Sequence, residues 1–180
     1  MRDVVFRFAI HTDASRLAKI NFDSWQYAYK DIFPEHVLHG MSLEKLKQAS
    51  VLAISHHDKK IVVLEMKQVV YGFVRYGKID PGLAEFEIFQ FYMDPKVVGK
   101  GLGTQLLQSA KQNIEANHGQ QIVVKVAEKN FPARKFYEKF GFAQMGPAKI
   151  DCSVGDISTN VVWYRYDCLV AKQKGSKMQC

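Results

Sequence analysis

The fold of this chain is decided by the stretch Asp94-Pro95-Lys96-Val97-Val98-Gly99-Lys100-Gly101-Leu102-Gly103-Thr104. A run rich in aromatic and β-branched residues, 85–93, precedes it and predicts a strand. Apolar residues at helical spacing follow it over 102–114 and predict an amphipathic helix. A glycine-rich turn between a strand and a helix is typical of an anion site, because the first-turn amides point outward with the positive end of the helix dipole behind them.

Spacing separates the possible ligands of this turn. A P-loop needs Ser or Thr directly after Gly-Lys, and here Gly101 follows Gly99-Lys100, so that motif is excluded. A dinucleotide fingerprint ends on Gly or Ala, where this chain has Thr104, and it normally opens a β-α-β unit rather than following antiparallel strands. The dinucleotide reading is therefore disfavoured. A purely structural turn stays open on this stretch alone.

Size and composition favour one globular domain. The chain has 180 residues, of which 47% are hydrophobic, enough for a proper core. We expect a single domain over 1–171 and a basic, flexible tail over 172–180. The formal net charge of +7 favours an acidic ligand such as a polyanionic cofactor. The basic residues are scattered and no RNA-binding motif appears, so no nucleic-acid partner is predicted.

The sequence also predicts a location. Charged residues or histidines interrupt every apolar run, so we expect no membrane segment, and the N-terminus lacks the apolar core of a signal peptide. Three cysteines are an odd number without metal-ligand spacing, which indicates free thiols in a reducing compartment and no metal site. These cysteines are Cys152, Cys168 and Cys180. We expect a cytoplasmic protein.

Hydrophobic patterns and turn residues divide the chain into strands and helices. Their order is strand 4–9, a helix from Thr12 or Asp13 to just before Pro34, helix 42–49 capped by Ser42, strands 51–55, 61–67, 70–77 and 84–93 with turns at 56–58 and 80–82, the helix after the glycine turn, strand 122–127, helix 130–140, and strands 142–150 and 161–170. Gly119 suits a left-handed residue at the end of the middle helix. The β-α-β unit around the glycine turn requires a parallel pair among antiparallel hairpins. The predicted class is α+β, a mixed, mostly antiparallel central sheet with helices on both faces.

A second stretch of sequence, considered together with the glycine turn, indicates a protein family. It reads Asn130-Phe131-Pro132-Ala133-Arg134-Lys135-Phe136-Tyr137-Glu138-Lys139-Phe140-Gly141-Phe142. Together the two stretches resemble the GNAT acetyltransferases, whose signature is Gln or Arg, two residues, Gly, any residue, Gly or Ala, and later Asn-x-x-Ala-x-x-Phe-Tyr-x-x-x-Gly-Phe. The second part is matched in full, and the first at Gly101 and Gly103. Val98 stands where the family has Gln or Arg, and Lys100 or Lys96 supplies compensating charge.

The resemblance covers essentially the whole chain and implies the element order β-α-α-β-β-β-α-β-α-β-β. It implies acetyl-CoA as the cofactor, inserted between splayed strands 86–93 and 122–127, with its pyrophosphate on the glycine turn and Asn130 on its pantetheine arm. The cofactor-binding residues that it implies are Phe91, Tyr92, Met93, Val98, Gly99, Lys100, Gly101, Leu102, Gly103, Thr104, Asn130, Ala133, Phe136 and Tyr137.

The resemblance also implies a direct transfer through a tetrahedral intermediate. The amide of Met93 would stabilise the oxyanion, and Tyr137 would protonate the departing CoA thiolate. Glu87 is the candidate base for the amine, acting through water, with Glu85 as a rival two residues away on the same face. Alternatives stay open: Tyr137 as a core tyrosine, and Glu87 as a solvent-facing carboxylate. No acyl-enzyme is expected, because no histidine partner is recognisable for Cys152 or Cys168.

The acceptor side has fewer signals. Trp25 and Tyr29 are four residues apart on the first helix and resemble the aromatic pair that lines the acceptor cleft in family members, although core packing stays an alternative. The segment 146–160 could form a lid. The implied activity is transfer of the acetyl group of acetyl-CoA to a primary amine of a small molecule or peptide. The alternative is a catalytically silent acyl-CoA-binding or regulatory module on the same fold. A homodimer is plausible through the late strands.

Overall fold

The computed structural model of the protein describes residues 4–79, 86–154 and 157–168. Its strands and helices are β1 Val4–Phe8, α1 Ala14–Ala28, α2 Glu35–His39, α3 Leu43–Ser55, β2 Lys59–Met66, β3 Val69–Lys78, β4 Phe86–Met93, α4 Leu102–Ala116, β5 Gln121–Ala127, α5 Phe131–Phe140, β6 Ala143–Gln144, β7 Lys149–Val154 and β8 Ile157–Asp167. Short 3-10 turns lie at His11–Asp13 and Pro95–Val97. The predicted turn at 80–82, Glu85, Cys180 and the tail 172–180 lie outside the described residues, as do the side chain of Cys152 and part of the segment 146–160.

The described strands form one sheet in the order β1-β2-β3-β4-β5-β8-β6, with β7 paired to β8. Every described pair is antiparallel except β4 with β5, where α4 makes the crossover. The helices lie on both faces of the sheet. This confirms the α+β class and the mixed, mostly antiparallel sheet.

Two hydrophobic clusters hold the layers together. On one face, which we call the α4 face, Leu106, Leu107 and Ile114 pack fully buried against Val74 and Val124. Burial of a leucine side chain contributes about 1.5–3 kcal/mol, so this stripe anchors α4 behind the glycine turn.

The opposite face of the sheet holds the smaller of the two clusters. On this α1 face, Leu17 and Ile20 of α1 pack against Ile61, Val63 and Phe73 of β2 and β3. Successive side chains of a strand point to opposite faces of the sheet, so β4 contributes residues to both faces.

One predicted strand is wrong. Residues 51–55 are the last turns of α3, not a strand. A short apolar run does not distinguish a strand from a helix, and here Ala53 and Ile54 pack against the cluster on the α1 face. The hydroxyls of Ser50 and Ser55 donate back to carbonyls four residues earlier, as in a continuing helix. The predicted cap is confirmed, since the Ser42 side chain accepts from the amide of Lys45.

Several predicted element ends also differ. Helix α1 stops at Ala28 and a separate helix, α2, follows Pro34. Asp13 occupies the N-cap position, but its carboxylate accepts from the Ile10 amide and Arg7 instead of capping α1. The expected strand 142–150 is divided into β6 and β7, and β8 already begins at Ile157.

Gly119 does not have the predicted left-handed backbone. His118 takes that conformation, with φ of 62°. Gly119 is needed for close packing instead, because a Cβ there would lie 2.8 Å from the ring of Phe86 and closer still to Ile114. In the part of the chain that the structure describes, no helix is long and apolar enough to cross a membrane.

Candidate functional site

A gap opens in the middle of the sheet, between the two parallel strands. Strands β4 and β5 pair only from Phe86–Ile88 to Ile122–Val124, although β4 continues to Met93 and β5 to Ala127. On the other side of β4, Arg75 pairs with Gln90 while Tyr76 pairs with Ile88, so Phe89 is an extra, bulged residue. A bulge bends its strand and increases the local twist, which turns the end of β4 away from β5.

The gap opens into a cleft of about 540 Å³. The cleft is lined by one end of α1, the bulged half of β4, the glycine turn, the first turn of α4 and the inner side of α5. Most of the predicted site residues line it: Tyr29, Phe91, Tyr92, Met93, Val98, Gly99, Gly101, Gly103, Thr104, Asn130, Ala133, Phe136 and Tyr137. Four predicted residues are not part of its lining: Trp25, Glu87, Lys100 and Leu102.

Backbone amides of β4 point into the gap. The amide of Asp94 donates to the carbonyl of Tyr71 on β3 over 2.8 Å. The Met93 carbonyl belongs to the same trans peptide, so it points the opposite way, to the edge that β5 has left. In an extended strand the N–H of Met93 lies on the same side as its own carbonyl, and that of Phe91 repeats the direction two residues earlier. Both amides therefore face the gap.

Side chains from α1 hold the end of β4 in place. The Ser24 hydroxyl donates to the Met93 carbonyl over 2.7 Å, and Arg16 Nη2 donates to the Asp94 carboxylate over 2.6 Å. Asp94 also accepts from the amide of Lys96. Burial opposes ionisation of Asp94, but the Lys96 amide and the Arg16 guanidinium outweigh it and keep the pKa of that carboxyl below its ordinary value. The strand end and the start of the loop are thus fixed to α1 as one unit.

The glycine turn leaves its helix N-terminus open. Gly99 and Gly101 have φ of 80° and 76°, a conformation that favours glycine, and a Cβ on either would meet no atom within 4 Å. Gly101 is the N-cap of α4 and supplies no side-chain cap. The first amides of a helix have no intrahelical acceptor, so those of Leu102, Gly103 and Thr104 are available to an anion. Lys100 Nζ donates to the Lys96 carbonyl over 2.7 Å, within the loop itself.

Asn130 joins the cofactor side and the acceptor side of the cleft. It is 6% exposed, and its Oδ1 accepts from the amide of Ala133 over 3.1 Å, which caps α5. Its side chain also lies beside the hydroxyl of Tyr29 from α1, whose pKa is raised by burial and partly lowered by Asn130. The Asn130 NH₂ group has two donors, so it can serve both Tyr29 and a ligand in the gap.

Tyr137 lies at the bottom of the cleft. Its side chain is 5% exposed and its ring packs edge-on against Phe91, Phe136 and Phe142. Burial, and then the nearby phenols of Tyr29 and Tyr92, raise the pKa of Tyr137 above its ordinary value. The phenol therefore holds its proton through the neutral range and can only act as an acid there. Its catalytic role stays a prediction.

The predicted aromatic pair on α1 exists as a contact. The rings of Trp25 and Tyr29 have centroids 4.6 Å apart, and Phe33 stacks on Trp25. Trp25 Nε1 donates to the hydroxyl of Tyr92 over 2.9 Å, and burial raises the pKa of Tyr92. Tyr29 lines the cleft, whereas Trp25 supports Tyr29 and Tyr92 from behind. Direct contact of Trp25 with an acceptor stays a prediction.

Glu87, the predicted base for the amine, lies some distance along β4 from the amides that face the gap. It stands on β4 opposite Gly77 and Val123, four residues before Phe91, which is about 13 Å along a strand. It faces the α1 side of the sheet, but does not line the cleft. Its role as a base therefore stays a prediction.

Several cleft residues escaped prediction from the sequence. They include Ser24, Tyr27, Ala28, Phe89, Gln90 and Lys125. Ser24 and Ala28 are four apart on α1 and could have been found only by knowing which helix face meets β4. Phe89 and Gln90 both reach the cleft because of the bulge, which no residue type in β4 signals.

Comparisons with known proteins agree with this geometry. The model of the acetyltransferase (GNAT) family matches residues 18–142. No curated protein sequence matches the chain. Among solved structures, the PaiA N-acetyltransferase of Thermoplasma acidophilum in complex with coenzyme A has a TM-score of 0.73 at 21% identity, over 91% of this chain and 99% of that one.

Two further similar structures are enzymes that modify ribosomal proteins. One, from Salmonella typhimurium, modifies the N-terminal serine of the 50S subunit protein L7/L12 and has a TM-score of 0.73 at 15% identity, over 92% of this chain and 95% of that one. The other is the ribosomal-protein-S18-alanine N-acetyltransferase of Escherichia coli, with a TM-score of 0.68 at 18% identity, over 95% and 97%. Likeness at these identities shows the fold and not the substrate.

Proposed function

The chain belongs to the GNAT acetyltransferase family, and on that premise we propose that it transfers the acetyl group of acetyl-CoA to a primary amine of a small molecule or peptide. The observation that carries the proposal is the open edge of β4. Beyond Ile88 this edge loses β5 as a partner, and it ends at a glycine turn that leaves a helix N-terminus uncovered. Coenzyme A has a matching order of groups, an amide-containing arm followed by a pyrophosphate.

The residues of the gap fit this cofactor. The outward amides and carbonyls of β4 can pair with the amide groups of pantetheine as a neighbouring strand would. The α4 N-terminus lies where the pyrophosphate would follow, with glycine at the two positions closest to it. Asn130, buried and already oriented by its bond to Ala133, has an NH₂ group beside the same gap. Coenzyme A in the Thermoplasma acidophilum enzyme supports the same assignment.

The reaction divides among few groups. Acetyl-CoA supplies an acetyl group activated as a thioester. The amide of Met93 faces the gap and would donate to the carbonyl oxygen as negative charge develops on it, while that of Phe91, two residues away on the same edge, would be left for the pantetheine arm. Tyr137 keeps its proton and would give it to the departing thiolate sulfur.

The amine must lose a proton before it attacks. Among the described residues no carboxylate lines the cleft, so Glu87 would act through water. Trp25 and Tyr29 would form the aromatic wall against which the amine is held, with Tyr29 in direct contact.

The test is release of free CoA thiol from acetyl-CoA over a panel of amines: amino acids, short peptides, polyamines and aminoglycosides. We expect at least one class to release thiol well above the rate without acceptor. Acetyl-CoA binding with no thiol release from any class would contradict the enzyme and leave the alternative, a silent acyl-CoA-binding module. Val98, in place of the usual Gln or Arg, is the feature that makes this alternative worth testing. A cytoplasmic location and a homodimer stay part of the proposal.

A further inference from the structure

One arginine next to the cleft has a buried donor that no acceptor in the described part of the chain satisfies. The Nε of Arg75, on β3, is buried and has no hydrogen bond. The other arginines in the described ranges 4–79, 86–154 and 157–168 are all engaged by oxygen atoms: Arg7 by Asp13 and Glu65, Arg16 by Asp94, Arg134 by Tyr164, and Arg165 by Asp167. A buried donor without an acceptor costs about 1–3 kcal/mol, so its presence in a folded protein requires an explanation.

Among residues 4–79, 86–154 and 157–168, no carboxylate compensates this guanidinium. Burial lowers the pKa of Arg75, and no acid that the structure describes raises it. Glu87 lies on the same face of the sheet, opposite Gly77, yet it makes no contribution to the pKa of Arg75. The other described arginines with a shifted pKa, Arg7 and Arg134, have it raised by their partners. Arg75 is therefore a partly buried cation for which the described residues supply no counter-charge.

The position of Arg75 connects it to the cleft. On β3 it pairs with Gln90 of β4, which lines the cleft, and with Ile61 of β2, which belongs to the α1 face. Its guanidinium carbon lies 5.8 Å from the ring centroid of Phe89, the bulged residue, which also lines the cleft. Lys59 Nζ lies 4.5 Å from the same centroid. Two cations thus approach the ring of a residue that lines the cleft, although neither Arg75 nor Lys59 is itself part of the lining.

We propose that Arg75, with Lys59 beside it, binds a carboxylate of the acceptor, so that the substrate class is a primary amine that also carries a carboxylate. The inference rests on the proposed function, because it specifies the acceptor of the same site. A guanidinium offers Nε and Nη as a fork that matches a carboxylate, and the Nε of Arg75 has no acceptor in the described part of the chain that would compete for it. Phe89 holds both cations over its ring and keeps them at the cleft.

The spacing suits a short amino acid or the first residues of a peptide. Arg75 is one strand away from Gln90, about 4.8 Å, and Gln90 is one to three residues, about 3–10 Å, from the amides of Phe91 and Met93. An anionic group several bonds from the reacting amine can span this distance. The charge of the cleft agrees, because its described lining contains Lys139 but no Asp or Glu. A polyamine, with cationic groups along its length, would be repelled there.

The test compares acceptors that differ only in a carboxylate. Glycine against glycinamide tests a free amino acid, and the peptide amides Ala-Glu-Ala against Ala-Gln-Ala test an acidic peptide. In the parent protein we expect the carboxylate of at least one pair to raise kcat/KM about tenfold to a hundredfold, mainly through KM. In Arg75→Gln that preference should fall close to one. Arg75→Lys should recover only part of it, because an ammonium lacks the fork.

Lys78→Gln is the matched control. Lys78 is on the same strand as Arg75, and its substitution removes the same charge. Lys78 pairs with Phe86 and lies on the α4 face, so the preference for an acceptor with a carboxylate should persist. Melting temperature and acetyl-CoA affinity, measured on each variant, show that the fold and the cofactor site are intact. A preference near one in the parent, or one unchanged in Arg75→Gln, overturns the inference.

A binding measurement separates this inference from the proposed function. Calorimetric titration of the CoA-bound protein uses the product analogues N-acetyl-Ala-Glu-Ala amide and N-acetylglycine, each against its carboxamide counterpart. Binding of either carboxylate that Arg75→Gln weakens tenfold or more supports the inference even if no amine is acetylated. Acetylation of amines with no such dependence supports the enzyme and overturns the role of Arg75.

Discussion

Tyr137→Phe is expected to lower kcat for acetyl transfer about 100-fold or more, while the affinity for acetyl-CoA changes less than about threefold. The phenol is buried beside the gap, and its raised pKa keeps it protonated, which makes it the donor best placed for a departing thiolate. Phenylalanine keeps the ring contacts with Phe91, Phe136 and Phe142, so only the proton donor is lost. The measurement is steady-state thiol release together with calorimetric titration of acetyl-CoA.

Tyr166→Phe is the control for this prediction. The Tyr166 ring also packs on Phe142, at 5.3 Å between centroids, but Tyr166 does not line the cleft. Its loss of a hydroxyl should leave kcat within about twofold of the parent. Because the pKa of Tyr137 lies above the ordinary phenol value of 10.0, the parent's rate should show no loss from its deprotonation between pH 7 and that value. Equal rates for Tyr137→Phe and the parent would remove Tyr137 from the chemistry.

Gly101→Val is expected to weaken acetyl-CoA binding about tenfold to a hundredfold. The side chain would fill the open space before α4, where the amides of the first turn are exposed to a ligand. At φ of 76° a β-branched residue is also strained, which should lower the free energy of unfolding by about 1–3 kcal/mol. In a melting experiment the parent should be stabilised by acetyl-CoA and not by NAD(H) or ATP, and the variant should lose most of that shift.

Gly146→Val separates strain from ligand exclusion. Gly146 has φ of 70° and equally open space around its Cβ direction, but it lies outside the cleft lining. It should lose a similar amount of stability and bind acetyl-CoA as the parent does. The account of the glycine turn is wrong if both variants bind acetyl-CoA equally well.

Local sequence signals predicted the parts of the fold whose physics is local. The glycine turn, the cap of Ser42 and the α5 start at Asn130 depend on a few adjacent residues, so they could be read directly. Residues 51–55 were misread because a short apolar run suits a strand and a helix equally, and packing against Leu17 and Ile20 decides between them. For Gly119 the sequence predicted a left-handed backbone, whereas the structure requires glycine there for close packing. That packing involves Phe86, which is distant in the sequence, so local signals could not indicate it.

The candidate site was predictable on its cofactor side and much less on its acceptor side. The glycines of the turn and Asn130 determine the backbone conformation of their own neighbours in the sequence, so their effect can be predicted locally. The acceptor side depends on the bulge at Phe89 and on the pairing of β3 with β4, which bring Arg75 next to Gln90 across the sheet. Neither the bulge nor the absence of a partner for Arg75 Nε has a signature in the order of residues.

The central claim is direct acetyl transfer in the gap between β4 and β5, and one measurement tests it most directly. The protein is mixed with acetyl-CoA and a reactive amine from the panel, and the masses of the intact protein and of the amine are followed together with free CoA. We predict one acetylated amine for each CoA released, and a protein whose mass is unchanged with acetyl-CoA alone. An acetylated protein that passes its acetyl group to the amine, or CoA released without any acetylated amine, would contradict the account.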